Sequence, residues 1–205
     1  MDFTLKMSSS MTVSGPSQCG KSTFTHGLLA LKNEIFNTPP SKIYWYYGQY
    51  TKVLATKPYI LEQGLPESFD HVEEGSVIVL DDLMHEGRDH EGITGLFTKM
   101  VHHRNLFVIN IVQNFFNNSK ETRTRRLNTQ YIIMFKNPSD ATQIKTIGRQ
   151  MYPTDSYFLP AVFLHVTKRP HGYIFIDLRQ ETPENQRIRS NILKHEFPMQ
   201  IFSIV

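Results

Sequence analysis

Glycines at positions 15 and 20, with Lys21 and Ser22 directly after the second, spell G-x4-G-K-[ST] across Gly15, Pro16, Ser17, Gln18, Cys19, Gly20, Lys21 and Ser22. That spacing suits the cradling of a phosphate chain. Successive backbone N–H groups wrap an anion, and glycine allows turns that a Cβ would block. The Lys21 ammonium offers a point charge to β- and γ-phosphates, and the Ser22 hydroxyl is a candidate Mg²⁺ ligand. Thr23 is the candidate for the α-phosphate. Cys19 sits where a helix N-terminus would lower a thiol pKa and favour oxidation, although an inert filler of the loop is the simpler reading.

A phosphate site of this kind needs a carboxylate at the end of a neighbouring buried strand, and Val77-Ile78-Val79-Leu80 runs straight into Asp81-Asp82. Asp81 is placed to hold the metal's water shell, and Asp82 to orient or deprotonate an attacking water. Both also fit a plain turn cap after a strand. A third apolar run, 106–112, ends in Gln113-Asn114. Beside the Asp81 strand, the Gln113 amide would reach a γ-phosphate and a lytic water, or else stand as an exposed strand-end amide. Arg104, at the opposite end of that run, could act only on a neighbour's nucleotide, as an arginine finger, or be an ordinary surface arginine.

The elements that must hold these residues read as short apolar runs rich in β-branched and aromatic residues, at 11–14, 43–47, 77–80, 106–112, 131–135 and 173–177. Helical spacing fills 21–32, 91–103, 141–152 and 156–168. Strands alternating with helices predict an α/β domain with a mainly parallel sheet. Segments 48–69, 84–90 and 114–129 read as loops, and from about residue 180 the chain reads as an arm or as a last strand on its own domain. The aromatics Tyr44, Trp45, Tyr46 and Tyr47 read as core, with stacking on a base as the alternative.

At these residues the sequence resembles the FtsK-HerA superfamily of P-loop ATPases, and more closely the DNA-packaging ATPases of poxvirus-type large viruses, adintoviruses and Polinton (Maverick) elements. The resemblance runs along most of the chain. It rests on the phosphate loop, Leu80-Asp81-Asp82-Leu83-Met84, His102-His103-Arg104-Asn105, Gln113-Asn114, Phe135-Lys136-Asn137-Pro138 and Arg149-Gln150. It implies a P-loop NTPase fold of the additional-strand type and a homo-oligomeric ring that hydrolyses ATP with Mg²⁺ and drives double-stranded DNA into a capsid. A capsid or portal protein is then an implied partner, and host cytoplasm, host nucleus or virion the implied location. The same resemblance gives Lys21 and Ser22 to nucleotide and metal, Asp81 to the metal side, Asp82 to the catalytic acid's place, Gln113 to the sensor and Arg104 to the finger. Aspartate at 82, where the superfamily often has glutamate, is the main departure.

The 205 residues, 40% hydrophobic and 20% charged, suit one domain able to bury a core. No apolar run approaches the ~20 residues of a membrane span, and residues 1–11 lack a signal-peptide core. A single cysteine fits a reducing compartment, cytosolic or nuclear. The net charge of +3 conceals a division. Residues 1–98 carry 7 basic and 12 acidic side chains, residues 99–150 carry 9 and 2, and residues 151–205 carry 6 and 5. Within the basic block, Lys120, Arg123, Arg125 and Arg126 are candidate contacts to a DNA backbone, with a solvated loop or an intersubunit surface as alternatives. Two other functions fit the same residues: a small-molecule kinase whose arginines 123, 125 and 126 form a lid, and a slowly hydrolysing nucleotide-gated assembly protein.

Overall fold

The computed structural model describes residues 3–83, 91–116, 126–196 and 198–204. Among the described residues, the apolar runs form the middle of a nine-stranded sheet in the order β3-β2-β4-β5-β1-β6-β7-β8-β9. In chain order these are β1 (Ser9–Ser14), β2 (Ile43–Tyr47), β3 (Ile60–Gln63), β4 (Val77–Asp81), β5 (Phe107–Val112), β6 (Tyr131–Phe135), β7 (Tyr173–Asp177), β8 (Ile188–Ser190) and β9 (Gln200–Phe202). The six strands from β3 to β6 are parallel, and β7, β8 and β9 continue the sheet antiparallel.

Helices cover both faces, so β1, β5 and β6 are buried along their whole length; apolar residues fill β6 and most of β5, whereas β1 buries Ser9, Ser10, Thr12 and Ser14 beside Met11 and Val13. One face packs on α1 (Lys21–Ala30) and α2 (Lys32–Ile35), through Val13, Trp45, Val79 and Ile109 against Phe24, Leu28 and Leu29. The residues one position on point the other way. Tyr46, Ile78, Leu80 and Val108 meet α3, whose α-helical ends Glu91–Gly95 and Val101–His103 flank a π-helical stretch, Leu96–Met100. Ile132, Met134, Ile174 and Ile176 meet α4 (Thr142–Met151) and α5 (Phe158–Val166). This is a doubly covered α/β sheet, with no helix among the described residues long and apolar enough to cross a membrane.

One region differs from the sequence reading. Segment 48–69 is not a plain loop, because Ile60–Gln63 adds β3 in parallel to β2. An edge strand buries little, so this one shows no apolar run. After residue 180 the chain takes the last-strand alternative rather than the arm. It folds back as β8 and β9, fixed at its start by Asp177. The Asp177 side chain is fully buried and accepts bonds from Arg179 Nε at 3.1 Å, Arg179 NH2 at 2.9 Å and the Arg179 backbone N–H at 3.1 Å. Removing one partner of such a pair strands the other charge. Asp177→Ala should therefore lose about 3–5 kcal/mol of stability, read by urea unfolding. A loss under about 1 kcal/mol would show that water replaces the carboxylate without cost.

Candidate functional site: a phosphate loop, two acids and a glutamine on one sheet edge

The parallel register brings the C-terminal ends of β1, β4 and β5 to one edge of the sheet, with β5 between the other two. The phosphate loop leaves β1 there and delivers the chain into α1. Its backbone is unusual where it has to be. Gln18 has φ +63 and Gly20 φ +111, so left-handed residues flank Cys19, whose N–H donates to the Pro16 carbonyl at 3.4 Å. Gly20 is the N-cap of α1, and no side chain caps that end, so the first-turn N–H groups face the loop. At Gly15 a Cβ would lie 2.7 Å from Cys19 Sγ and 2.8 Å from Phe135 Cβ, so only glycine fits against β6.

Lys21 arches over this loop, its ammonium donating to the carbonyls of Gly15 and Pro16 at 2.7 and 2.9 Å, which leaves one of its three N–H donors. Ser22 and Thr23 are exposed at the helix start. Cys19 is partly buried, and burial raises its thiol pKa, so the filler reading stands over the oxidisable one.

Asp81 is the last residue of β4 and half-buried, and desolvation pushes its pKa up to about 6. The fully buried indole of Trp45 donates Nε1–H to Asp81 Oδ2 at 3.3 Å. The indole in turn is stacked on His26 (centroids 4.5 Å apart, 17° between planes) and on Tyr59 (5.3 Å, 10°). His26 lies one turn beyond Ser22 on α1, and its Nδ1 is 3.3 Å from the Tyr59 hydroxyl. Burial first, and the Lys57 charge second, lower its pKa. One carboxylate oxygen of Asp81 is thus fixed in a rigid aromatic frame. Ser22 and Asp81 together are a hydroxyl and a carboxylate, hard oxygen donors of the type Mg²⁺ takes with substrate phosphates and water. Among the described residues no group of three or more His, Cys, Asp or Glu forms a metal cage of its own.

Asp82 has φ +55, a left-handed turn that swings its side chain across to β5. There the Gln113 amide donates to Asp82 Oδ2 at 2.7 Å. Two residues 31 positions apart, read from sequence as catalytic acid and sensor, are in direct contact. Arg104 occupies the far edge, before β5, as expected. Its guanidinium donates to the carbonyls of Phe69, Asp70 and Val72 of its own chain. Lys120, Arg123 and Arg125 lie outside the described residues. Arg126 is described, with its guanidinium over the Phe116 ring at 4.8 Å.

The sequence reading missed what the tail contributes. Beside the N-terminus of α1 lies a cavity of about 420 Å³, walled by the loop and α1 on one side and by His171, Leu193, His195 and Glu196 on the other. The His171 ring nitrogen Nδ1 is 2.9 Å from the Cys19 carbonyl. Residues more than 150 positions from the loop give no local signal of that contact. His26 carried a faint one, the i, i+4 spacing from Ser22 that puts both on one helix face.

No family model matches the sequence, and no curated protein sequence matches it. Solved structures do. The genome packaging NTPase B204 from Sulfolobus turreted icosahedral virus 2, in complex with sulfate, aligns with a TM-score of 0.55 at 13% identity, over 96% of this chain and 97% of that one. The same NTPase in complex with ATP-gammaS gives 0.50 at 13% identity, over 97% and 98%. B204, the DNA-packaging ATPase from Sulfolobus Turreted Icosahedral Virus, gives 0.56 at 12% identity over 100% of both chains. Identities this low speak for architecture alone, and the architecture this chain shares with them is the P-loop NTPase fold, a large, mostly parallel sheet flanked by helices.

Proposed function

We propose that this chain is an ATP-hydrolysing DNA translocase of the FtsK-HerA type, which packages double-stranded DNA as a homo-oligomeric ring. The observation that carries the reading is the Gln113–Asp82 hydrogen bond, on the same sheet edge as the phosphate loop. It joins an amide that can touch a γ-phosphate to a carboxylate that can take a proton from water. In this reading Lys21 binds the β- and γ-phosphates, and Ser22 and Asp81 would hold Mg²⁺, which would draw charge from the leaving phosphates. Asp82 receives the proton of the attacking water, and Gln113 orients both. Trp45 positions Asp81. The likeness to B204, described as a DNA-packaging ATPase, supports DNA as the cargo.

The basic block of residues 99–150 is the proposed DNA surface, with Arg126 and the neighbouring Lys120, Arg123 and Arg125 contacting backbone phosphates without reading sequence. A capsid or portal protein is the proposed docking partner. The described contacts of Arg104 support a clamp on residues 69–72; as a finger in a neighbouring subunit it would have to release three carbonyls.

The test is ATP turnover with and without double-stranded DNA. Stimulation of about tenfold or more, falling steeply between 50 and 200 mM salt, is the expected result. Transfer of phosphate to a small-molecule acceptor, with no response to DNA, would replace the motor by a kinase.

A further inference from the structure

Gln113 and Asp82 meet on the flank of β5 that faces β4. A second contact leaves the same strand end on the other flank, towards β6. It is made by one side chain, Gln143 in the first turn of α4. Gln143 lines a small cleft with Ser14 and Gly15, so the contact passes the end of β1, where the phosphate loop begins.

Gln143 is buried, and both ends of its amide are committed. Its Oε1 accepts the Phe115 backbone N–H at 2.9 Å, and its Nε2 donates to Asp140 Oδ2 at 2.9 Å. A backbone N–H can only donate and a carboxylate only accept, so the two partners fix which way the amide points. Both partners are themselves anchored. Phe115 is buried with Ile132, Met134, Ile144 and Ile147. Asp140 Oδ1 accepts the Thr142 hydroxyl and backbone N–H, and these bonds, with the Gln143 amide after them, hold its carboxyl below the usual carboxylate range. Gln143 thus links a charged, fixed acceptor to a backbone N–H two residues beyond Gln113.

We propose that Gln143 is a positioning residue for hydrolysis: by holding Phe115, it keeps the Gln113 amide at Asp82. This rests on the function proposed above, in which Asp82 takes the proton and Gln113 orients the attacking water. Only Asn114 separates Phe115 from Gln113, so a shift of one is carried to the other. A buried N–H that loses its acceptor costs stability unless the chain moves to find another, and here such a move takes Gln113 with it. Misplacement of a reacting group by about 1 Å can cost about 10²-fold in rate.

The experiment is an exchange of donor and acceptor in the full chain. It is read as kcat and KM for ATP with double-stranded DNA present. Turnover is counted per nucleotide site, from titration of the sole tryptophan's fluorescence with a non-hydrolysable ATP analogue. Gln143→Glu keeps the acceptor for Phe115 but turns its other carboxylate oxygen on Asp140. It should lower kcat by about 3- to 100-fold and leave KM within about threefold. Adding Asp140→Asn restores a donor to the pair, with its direction reversed, and should recover most of that loss. In a Gln113→Ala background, Gln143→Glu should cost less than about twofold, because it acts through Gln113. A purely structural role would lower the number of nucleotide sites and not the turnover of each. A fall in kcat per site of under about threefold, a rise in KM in its place, a double variant no faster than Gln143→Glu, or full additivity with Gln113→Ala overturns the positioning role. If the parent hydrolyses no ATP, the function proposed above fails first and this role falls with it.

Discussion

Lys21→Ala should lower ATP turnover by about 10²–10³-fold, the usual cost of deleting one preorganised group that meets transition-state charge. The ammonium already sits at the loop, with two of its donors on the Gly15 and Pro16 carbonyls. The third can reach a phosphate without the helix moving. Pro16 is only partly buried, so water can replace the lysine at its carbonyl, and the loss of one bond at buried Gly15 should cost some stability and leave the fold intact. Lys21→Arg tests shape against charge, because a planar guanidinium does not fit where a compact ammonium arches over the loop. Trp45 is the sole tryptophan and bonds to Asp81, so its fluorescence gives a binding signal separate from turnover. Turnover in Lys21→Ala within threefold of the parent, with binding intact, would exclude Lys21 from the chemistry.

Asp82→Asn should reduce turnover by about 10²–10⁴-fold while leaving nucleotide binding near normal, since a general base acts in the transition state and contributes little to ground-state binding. The amide keeps the shape and loses the proton acceptor. Gln113→Ala alone should cost less, because Asp82 then keeps its carboxylate but loses the donor that fixes Oδ2. The two residues touch, so their effects should not add, and the double variant should be no slower than Asp82→Asn by more than a small factor. Strict additivity in ΔΔG‡ would mean that the hydrogen bond has no part in catalysis and that each residue acts separately.

What could be read from the sequence followed from locality. The loop motif, its strand and its helix are contiguous, and Asp81, Asp82 and Gln113 each close a recognisable apolar run. A doubly covered parallel sheet makes those runs continuous, so their ends were readable to within a residue or two. The neighbour relation between β4 and β5, which joins Asp82 to Gln113, was only an expectation, because strand order leaves no mark on local composition. Edge strand β3 was missed because exposure removed its apolar pattern. The indole bond to Asp81 was hidden for another reason: Trp45 reads as core, and it is core, with one polar atom at the margin. The tail wall depends on contacts spanning most of the chain, and short antiparallel β8 and β9 are too brief to show a period.

The insertion of β5 between β1 and β4 also sets an electrostatic condition. Strands lie about 4.8 Å apart, so the phosphate loop and the paired acids start about 10 Å from each other. Lys21 is therefore kept out of contact with Asp81 and Asp82, joining neither among the described ion pairs, although its charge is felt at Asp81. In contact they would neutralise each other and shut the cleft with their own attraction. Spaced one strand apart, the opposite charges act on each other only at a distance, and a ligand that carries both phosphate and cation would bridge them.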